Sequence, residues 1–266
     1  MPPASAPAPG ATDQPGLGSA PGGVGRGIAG EGGVAAGAGA CAAYLVSTQD
    51  PEGSWTLPKG AAGASGERYT GFAHGAAGMM AFLGRYAAFA GDAAADAAWR
   101  RAEAWLVSRA RRGRAGRWHW PQSDSQRSPS YWWCHGAPGI ALGWLCVAQA
   151  QGTAAIAEEY LRAALGAHPP KPRNDRLGQC HGLAGVGEVY LEAHRVLREE
   201  CWRERAADIA NVLVALFRRR PHEPWRYPPD EPPAAADGLM LGTAGLLHFL
   251  LRYRYPAVIT SPPLLT

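Results

Sequence analysis

The amino-acid sequence predicts an all-α fold of repeated helix pairs, arranged either as a solenoid or as an α/α toroid. Apolar residues recur at spacings of three and four, as in Ile209, Val212, Leu213 and Leu216. The alternation of apolar and polar residues that is typical of β-strands is nearly absent. A glycine motif also returns four times along the 266 residues, each time at the start of an apolar segment. Together these observations favour helix pairs as the repeating unit.

The predicted elements follow in chain order. Residues 1–33 are rich in glycine, proline and alanine and bury too little apolar surface to become ordered, so we expect them to be disordered. Residues 34–266 are expected to form the folded domain. Its first helix begins near Val34 and ends before the turn at Pro51–Gly53. Seven further helices are predicted at 75–90, 93–111, 138–151, 153–165, 182–198, 203–220 and 242–254.

Composition excludes several classes of protein. The chain is 47% hydrophobic and 18% charged, which is typical of a folded globular protein. A net charge of +4 with dispersed arginines does not indicate a nucleic-acid surface, and no apolar segment reaches the length of about 18 residues that spans a membrane. No signal peptide is recognisable, so a cytoplasmic location is expected. There, five cysteines favour metal ligands or nucleophiles over a disulfide framework.

The repeated motif ends in Gly-x-small-Gly. Its first glycines are Gly75, Gly136, Gly182 and Gly242, at intervals of 61, 46 and 60 residues, which is enough for two helices and a loop. Gly27–Gly30 is a candidate fifth copy. Glycine lets a loop pass tightly into a helix and lets two backbones approach closely. In a toroid, equivalent positions of successive repeats point at one shared centre.

Histidines and cysteines occupy two adjacent positions of this motif. The position before the first glycine holds His74, His135, His181 and Leu241, and the position before that holds Ala73, Cys134, Cys180 and Met240. Two thiolates and an imidazole suit zinc, and three protein ligands leave a fourth coordination position open. A helix N-terminus favours the thiolate form of both cysteines. Zinc held by two thiolates is a modest Lewis acid that can keep a further thiol as a nucleophile, so the pattern indicates activation of a substrate sulfur. The other cysteines, Cys41, Cys146 and Cys201, are expected in the core.

These motifs resemble those of the lanthionine synthetase C-like family, cyclases that form the thioether rings of lanthipeptides. The resemblance rests on Gly71–Gly78, Trp133–Gly139, Cys180–Gly185 and Gly238–Leu247, and it extends over about residues 34–260. It implies an α/α toroid, present here as an incomplete barrel.

The resemblance also implies the chemistry of the site. The family's zinc (Zn²⁺) ligands correspond to Cys134, Cys180 and His181, and its acid/base histidine corresponds to His74. The implied reaction adds a peptide cysteine thiolate to dehydroalanine or dehydrobutyrine, and His74 protonates the enolate. The implied partner is a dehydrated precursor peptide, with a dehydratase or another synthetase chain as a further candidate. His135 is not a ligand in the family, and we expect it to form a hydrogen bond beside the metal.

The sequence departs from the family pattern near its N-terminus. A functional aspartate four residues before the first glycine of an earlier repeat corresponds to Gly23, if Gly27 is that glycine. Ser130 stands where an arginine often precedes the Trp-Cys motif. Several helix pairs that normally come earlier are also missing, so the sequence is interpreted as a truncated or diverged member.

Three alternatives remain open from the sequence. One is a degenerate, non-catalytic toroid that binds a peptide or a sister synthetase. Another is a glutathione-binding protein, as some eukaryotic relatives look to be. The last is an α/α-toroid carbohydrate enzyme, suggested by ten tryptophans, but its chemistry needs two carboxylates facing the cleft, where this motif offers cysteine and histidine.

Overall fold

The computed structural model describes residues 31–60, 66–113, 117–167, 177–219 and 237–261. The described chain is all-α apart from one short β-hairpin. Its helices are α1 Glu31–Thr48, α2 Ala76–Ala90, α3 Ala93–Arg109, α4 Ala137–Gln151, α5 Glu158–Ala167, α6 Leu183–Leu197, α7 Glu200–Arg219 and α8 Thr243–Arg254. The hairpin pairs β1 Arg111–Arg112 with β2 Trp118–His119 in antiparallel register.

The predicted helices are present, with shifted ends. Helix α1 begins at Glu31, three residues before the predicted start near Val34. The predicted helix 153–165 is interrupted, because a 3₁₀ turn at Thr153–Ala155 precedes α5. Residues 1–30, with the candidate fifth motif at Gly27–Gly30, lie outside the described residues.

The helices form two layers, as expected of an α/α toroid. Helices α2, α4, α6 and α8 pack side by side in an arc and form the inner layer. Helices α3, α5 and α7 pack on the outside of α2, α4 and α6, respectively. Each inner helix begins one residue after a motif glycine, and Gly75, Gly136, Gly182 and Gly242 are the four N-caps. The repeat seen in the sequence is therefore the repeat of the fold.

The second glycine of each motif is required by a close backbone contact. A Cβ atom at Gly139 would lie 1.9 Å from the carbonyl oxygen of Trp133, and one at Gly185 would lie 1.8 Å from that of Gln179. In the other two motifs, a Cβ atom at Gly78 or at Gly245 would lie 2.1 Å from the carbonyl oxygen six residues earlier, that of Phe72 or Leu239. Any side chain would push the loop away from the helix that follows it.

Backbone carbonyls replace side-chain caps at these helix starts. Ala76 donates its N–H to the Tyr69 carbonyl (2.9 Å), and Ala184 donates to the Leu177 carbonyl (3.0 Å). A glycine N-cap has no side chain that could accept an N–H from the first turn of the helix. In these two motifs, a carbonyl seven residues upstream accepts such an N–H instead. Each motif loop is closed on itself and holds the residues before the glycine in place.

The core lies between the two layers. Helix α4 is buried on all sides from Ala137 to Ala148, which is typical of a helix at the centre of a layer. Trp120 packs edge-on against Trp144 and donates its indole N–H to the Leu106 carbonyl at 2.8 Å. Burying an apolar side chain of this size contributes about 1.5–3 kcal/mol.

The expected core role of the remaining cysteines holds for one of three. Cys146 is buried in α4, whereas Cys41 and Cys201 are exposed, so that prediction was wrong for these two. Helical periodicity alone did not reveal which faces of α1 and α7 are covered. Among the described helices, none is both long enough and apolar enough to cross a membrane.

Candidate metal and catalytic site

The four motif loops are joined to one another by backbone hydrogen bonds. Ala73 donates its N–H to the Cys134 carbonyl (3.2 Å), Cys134 donates to the Cys180 carbonyl (3.1 Å), and Cys180 donates to the Met240 carbonyl (2.8 Å). These four residues hold the same motif position. The ladder therefore aligns the loops in register and brings the neighbouring side chains of successive repeats together.

The structure brings the three expected ligand residues into one cluster. Cys134, Cys180 and His181 each offer a ligand atom within 4.8 Å of the others, and Cys134 is buried while the other two are half-buried. The Sγ of Cys134 lies 3.7 Å from Nδ1 of His181. This separation is close to the edge of about 3.6 Å between sulfur and nitrogen ligands of tetrahedral zinc. Both the donor set and its spacing fit a zinc ion.

The pKa values of the two thiols in the cluster are shifted in opposite directions. Hydrogen bonds from Cys180 and His181 to the Cys134 thiolate outweigh burial and lower the pKa of Cys134 to about 4. The pKa of Cys180 is raised, because its thiol hydrogen-bonds to Cys134, is buried, and faces the Cys134 charge. The pair shares one proton, which a divalent cation would displace on binding.

Two histidines extend the cluster on the side of α2. The rings of His74 and His135 lie with centroids 5.4 Å apart, and His135 also contacts Tyr69 at 5.7 Å. Burial lowers the pKa of His135, with nearby His74 and His181 acting in the same direction. Nδ1 of His135 is buried and has no hydrogen-bond partner among the described residues, so the hydrogen bond expected of His135 is not formed through this atom. The ring of His74 is therefore a direct neighbour of His135, the residue that follows Cys134.

Some residues that build the site were not singled out from the sequence. A Cβ atom at Gly71 would lie 2.3 Å from the Cys134 carbonyl oxygen, so this glycine lets the first loop reach the second. A Cβ atom at Gly178 would lie 3.1 Å from the Met240 carbonyl oxygen, a tight contact with the next loop. The signal was present, since glycine occurs four residues before the N-cap in three motif copies, Gly71, Gly178 and Gly238. Gln179, fully buried, donates to the Gly245 carbonyl at 2.8 Å and ties the third motif to the fourth.

Comparison with known proteins relates the chain to one family. The family model described as lanthionine synthetase C-like protein matches residues 38–265. Among solved structures, nisin cyclase is similar, with a TM-score of 0.54 and 18% sequence identity over 75% of this chain. The match covers 50% of the nisin cyclase chain, so this chain spans about half the length of that protein. At 18% identity, this match shows a shared α/α toroid fold.

Proposed function

Because this chain belongs to the lanthionine synthetase C-like family, we propose that it is a zinc-dependent cyclase that forms thioether rings in a lanthipeptide. In the reaction, a peptide cysteine thiolate adds to dehydroalanine or dehydrobutyrine. The observation that carries the proposal is the cluster of Cys134, Cys180 and His181. Its two thiols and one imidazole, of which one thiol is buried and the other two groups are half-buried, suit the binding of a further thiol more than the hydrolysis of an amide.

Each residue has a distinct task in this proposal. Cys134, Cys180 and His181 hold the zinc ion, which when bound supplies the Lewis acidity that keeps an incoming thiol in its thiolate form. The backbone ladder aligns the two motif loops that carry these three residues, which favours a site that is formed before the ion binds.

His74 moves the proton. The substrate sulfur forms a bond to the β-carbon of the dehydro residue, and the electron pair of the double bond moves onto the α-carbon as an enolate. His74 delivers a proton to that α-carbon and is recharged with the proton that the thiol released, so the addition needs no oxidant or reductant. The contact between the rings of His74 and His135, with centroids 5.4 Å apart, places His74 beside the residue that follows Cys134.

The substrate chemistry implies the partners. Dehydroalanine and dehydrobutyrine arise when serine and threonine lose water, so a dehydratase must act on the precursor peptide before this chain does. We place the reaction in the cytoplasm, where the thiols of the peptide and of the cluster stay reduced.

A synthetic peptide with one dehydroalanine and one cysteine tests the proposal. Addition leaves the peptide mass unchanged but removes its free thiol, so alkylation followed by mass spectrometry follows the reaction. The zinc-loaded protein is expected to protect the peptide from alkylation, and Cys180→Ala and His74→Gln are expected to slow this protection at least 100-fold. Cys201→Ala, which removes an exposed cysteine, is the matched control and should react like the unaltered protein.

The same assay separates the alternatives. Full activity in His74→Gln would contradict the catalytic role of this residue. A protein that binds zinc and is stabilised by glutathione, yet never consumes the peptide thiol, would instead be a thiol-binding relative without cyclase activity.

A further inference from the structure

A cavity lies at the opposite end of the inner helices from the thiol cluster. Its volume is about 740 Å³. Its lining comes from the C-terminal halves of α2, α4, α6 and α8, from the junction of α6 with the first turn of α7, and from the segment after α8. Each inner helix starts at a motif loop and rises 1.5 Å per residue, so Arg195 lies about 18 Å along the axis of α6 from Leu183. The cavity is thus a separate feature from the proposed cyclase site.

The lining of this cavity is strongly basic. It contains one carboxylate, Glu192, against five arginines: Arg85, Arg195, Arg198, Arg203 and Arg252. Several of these cations are balanced, since Arg252 pairs with Glu188 and Glu192, Arg195 pairs with Glu192, and Arg203 pairs with Glu200.

Arg85 and Arg198 differ from the other three arginines. In the part of the chain that the structure describes, neither forms an ion pair with a carboxylate. The cavity therefore keeps an excess of positive charge that its own carboxylates do not offset.

The backbone of Arg198 gives an independent indication. Arg198 ends α6 in the left-handed region with φ of 60°, and within the described ranges no other non-glycine residue has a positive φ. The equivalent positions after α2 and α4 are glycines, Gly91 and Gly152, with φ of 66° and 90°. The helix dipole explains a basic residue near a C-terminus, but it does not explain an arginine where glycine fits without strain. Strained backbone positions of this kind occur most often at functional sites.

We propose that this cavity binds a small organic phosphate, with Arg85 and Arg198 holding the phosphate group. Guanidinium groups bind phosphate oxygens in a bidentate manner, and a phosphate monoester carries about −1.5 to −2 charges at neutral pH, enough to balance two arginines. The buried hydroxyl of Ser261 has no hydrogen-bond partner among the described residues and lines the same cavity. Leu191 and Tyr253 supply an apolar wall for the organic part, and the volume lies in the range of small-molecule sites.

Calorimetric titration of the zinc-loaded full chain with adenosine 5′-monophosphate and with inorganic phosphate tests this. The nucleotide is expected to bind at least tenfold more tightly than inorganic phosphate, because only it contacts the apolar wall. Arg85→Gln and Arg198→Gln should each weaken its binding at least tenfold. Arg112→Gln, an exposed arginine of β1 outside the cavity, should not change it. If the unaltered protein and the three variants bind the nucleotide equally tightly, the proposal is overturned. Tighter binding of a glutamate-rich peptide than of the nucleotide would also overturn it.

Arg198→Gly separates a binding role from a structural one. Glycine relieves the left-handed strain, so the melting temperature should rise while nucleotide binding falls. A fall in melting temperature would show that the Arg198 side chain stabilises the fold, and it would contradict the proposal. Zinc content should be unchanged in every variant, which keeps this outcome independent of the cyclase proposal.

Discussion

At the scale of single residues, two cysteines at the same motif position have opposite acidities. Cys134 receives hydrogen bonds from both Cys180 and His181, whereas Cys180 faces the negative charge that results. The sequence could show that the two thiols are equivalent in the repeat. It could not show which of them carries the charge, because that depends on contacts between repeats.

Alkylation of the chelator-treated protein tests this difference. With its pKa lowered to about 4, Cys134 is a thiolate at pH 6, so iodoacetamide is expected to modify it ahead of Cys180, which is more accessible but protonated. Cys146, whose pKa burial raises to about 11, should stay unmodified until the protein unfolds. Peptide mapping by mass spectrometry gives the order of labelling. His181→Ala removes one donor and should slow the labelling of Cys134, and preferential labelling of Cys180 would contradict the account.

Asp124 offers a test of pH dependence in the loop that leads to the Trp-Cys motif. Burial would raise the pKa of Asp124, but hydrogen bonds and charges from Arg68 and Arg109 outweigh it and lower the pKa. A lowered carboxyl pKa stabilises the fold above the unfolded value of about 3.9, and this stabilisation is lost as pH falls through the folded pKa. Asp124→Asn should therefore cost about 0.5–1 kcal/mol at pH 7, given that the side chain is partly exposed. The cost should decrease as the pH falls below about 3.9 in urea unfolding, and a cost independent of pH would exclude the ion pairs as its source.

At the scale of elements, the structure depends on how each motif loop packs on the helix that it starts. The sequence predicted the helices and the role of glycine at their starts, because both follow from local spacing. It did not predict the partner of each glycine, since the carbonyl six residues earlier is brought close only by the closed shape of the loop.

Gly185→Ala and Gly166→Ala form a matched pair for this contact. A Cβ atom at Gly185 would overlap the Gln179 carbonyl oxygen, whereas one at Gly166 in α5 would meet nothing within 4 Å. The first substitution is expected to destabilise the protein by about 1–3 kcal/mol through overpacking. The second should stabilise it by about 0.5–1 kcal/mol through helix propensity. Guanidinium unfolding measures both, and equal effects would contradict the close contact.

A buried network of charged side chains links the inner helices α6 and α8, and no sequence pattern predicted it. Arg252 pairs with Glu188 and Glu192, and His248 contacts Glu188 through Nδ1 at 2.8 Å. Both carboxylates are at most 2% exposed. Such a network specifies how two helices meet, because any shift would leave a buried charge without its partner.

Removal of Arg252 should be far more costly than removal of its exposed neighbour. Arg252→Leu removes the buried cation that Glu188 and Glu192 share, which leaves Glu188 with His248 and Glu192 with Arg195. It is expected to cost about 3–5 kcal/mol. Arg254→Leu, on an exposed position of the same helix, should change stability by less than about 0.5 kcal/mol. Thermal unfolding followed by circular dichroism compares the two. A cost for Arg252→Leu below about 1 kcal/mol would mean that the network adds little to the packing of α6 on α8.

At the scale of the whole molecule, the inner helices carry different chemistry at their two ends. The motif loops gather Cys134, Cys180, His181 and the two nearby histidines at the N-terminal end. The arginine-lined cavity lies at the C-terminal end. The first end was predictable, because its residues recur in register along the sequence. The second was not, because arginines from four helices converge without sharing a motif position.

Zinc content tests the central claim most directly. Elemental analysis of the purified protein, dialysed after zinc loading, should give about one zinc ion per chain, as expected for a site with two thiolates and one imidazole. Cys134→Ala and Cys180→Ala should lose this zinc, and Cys201→Ala should retain it. An unaltered protein without zinc, or a Cys180→Ala variant that keeps a full equivalent, would contradict the assignment of Cys134, Cys180 and His181 as a metal site.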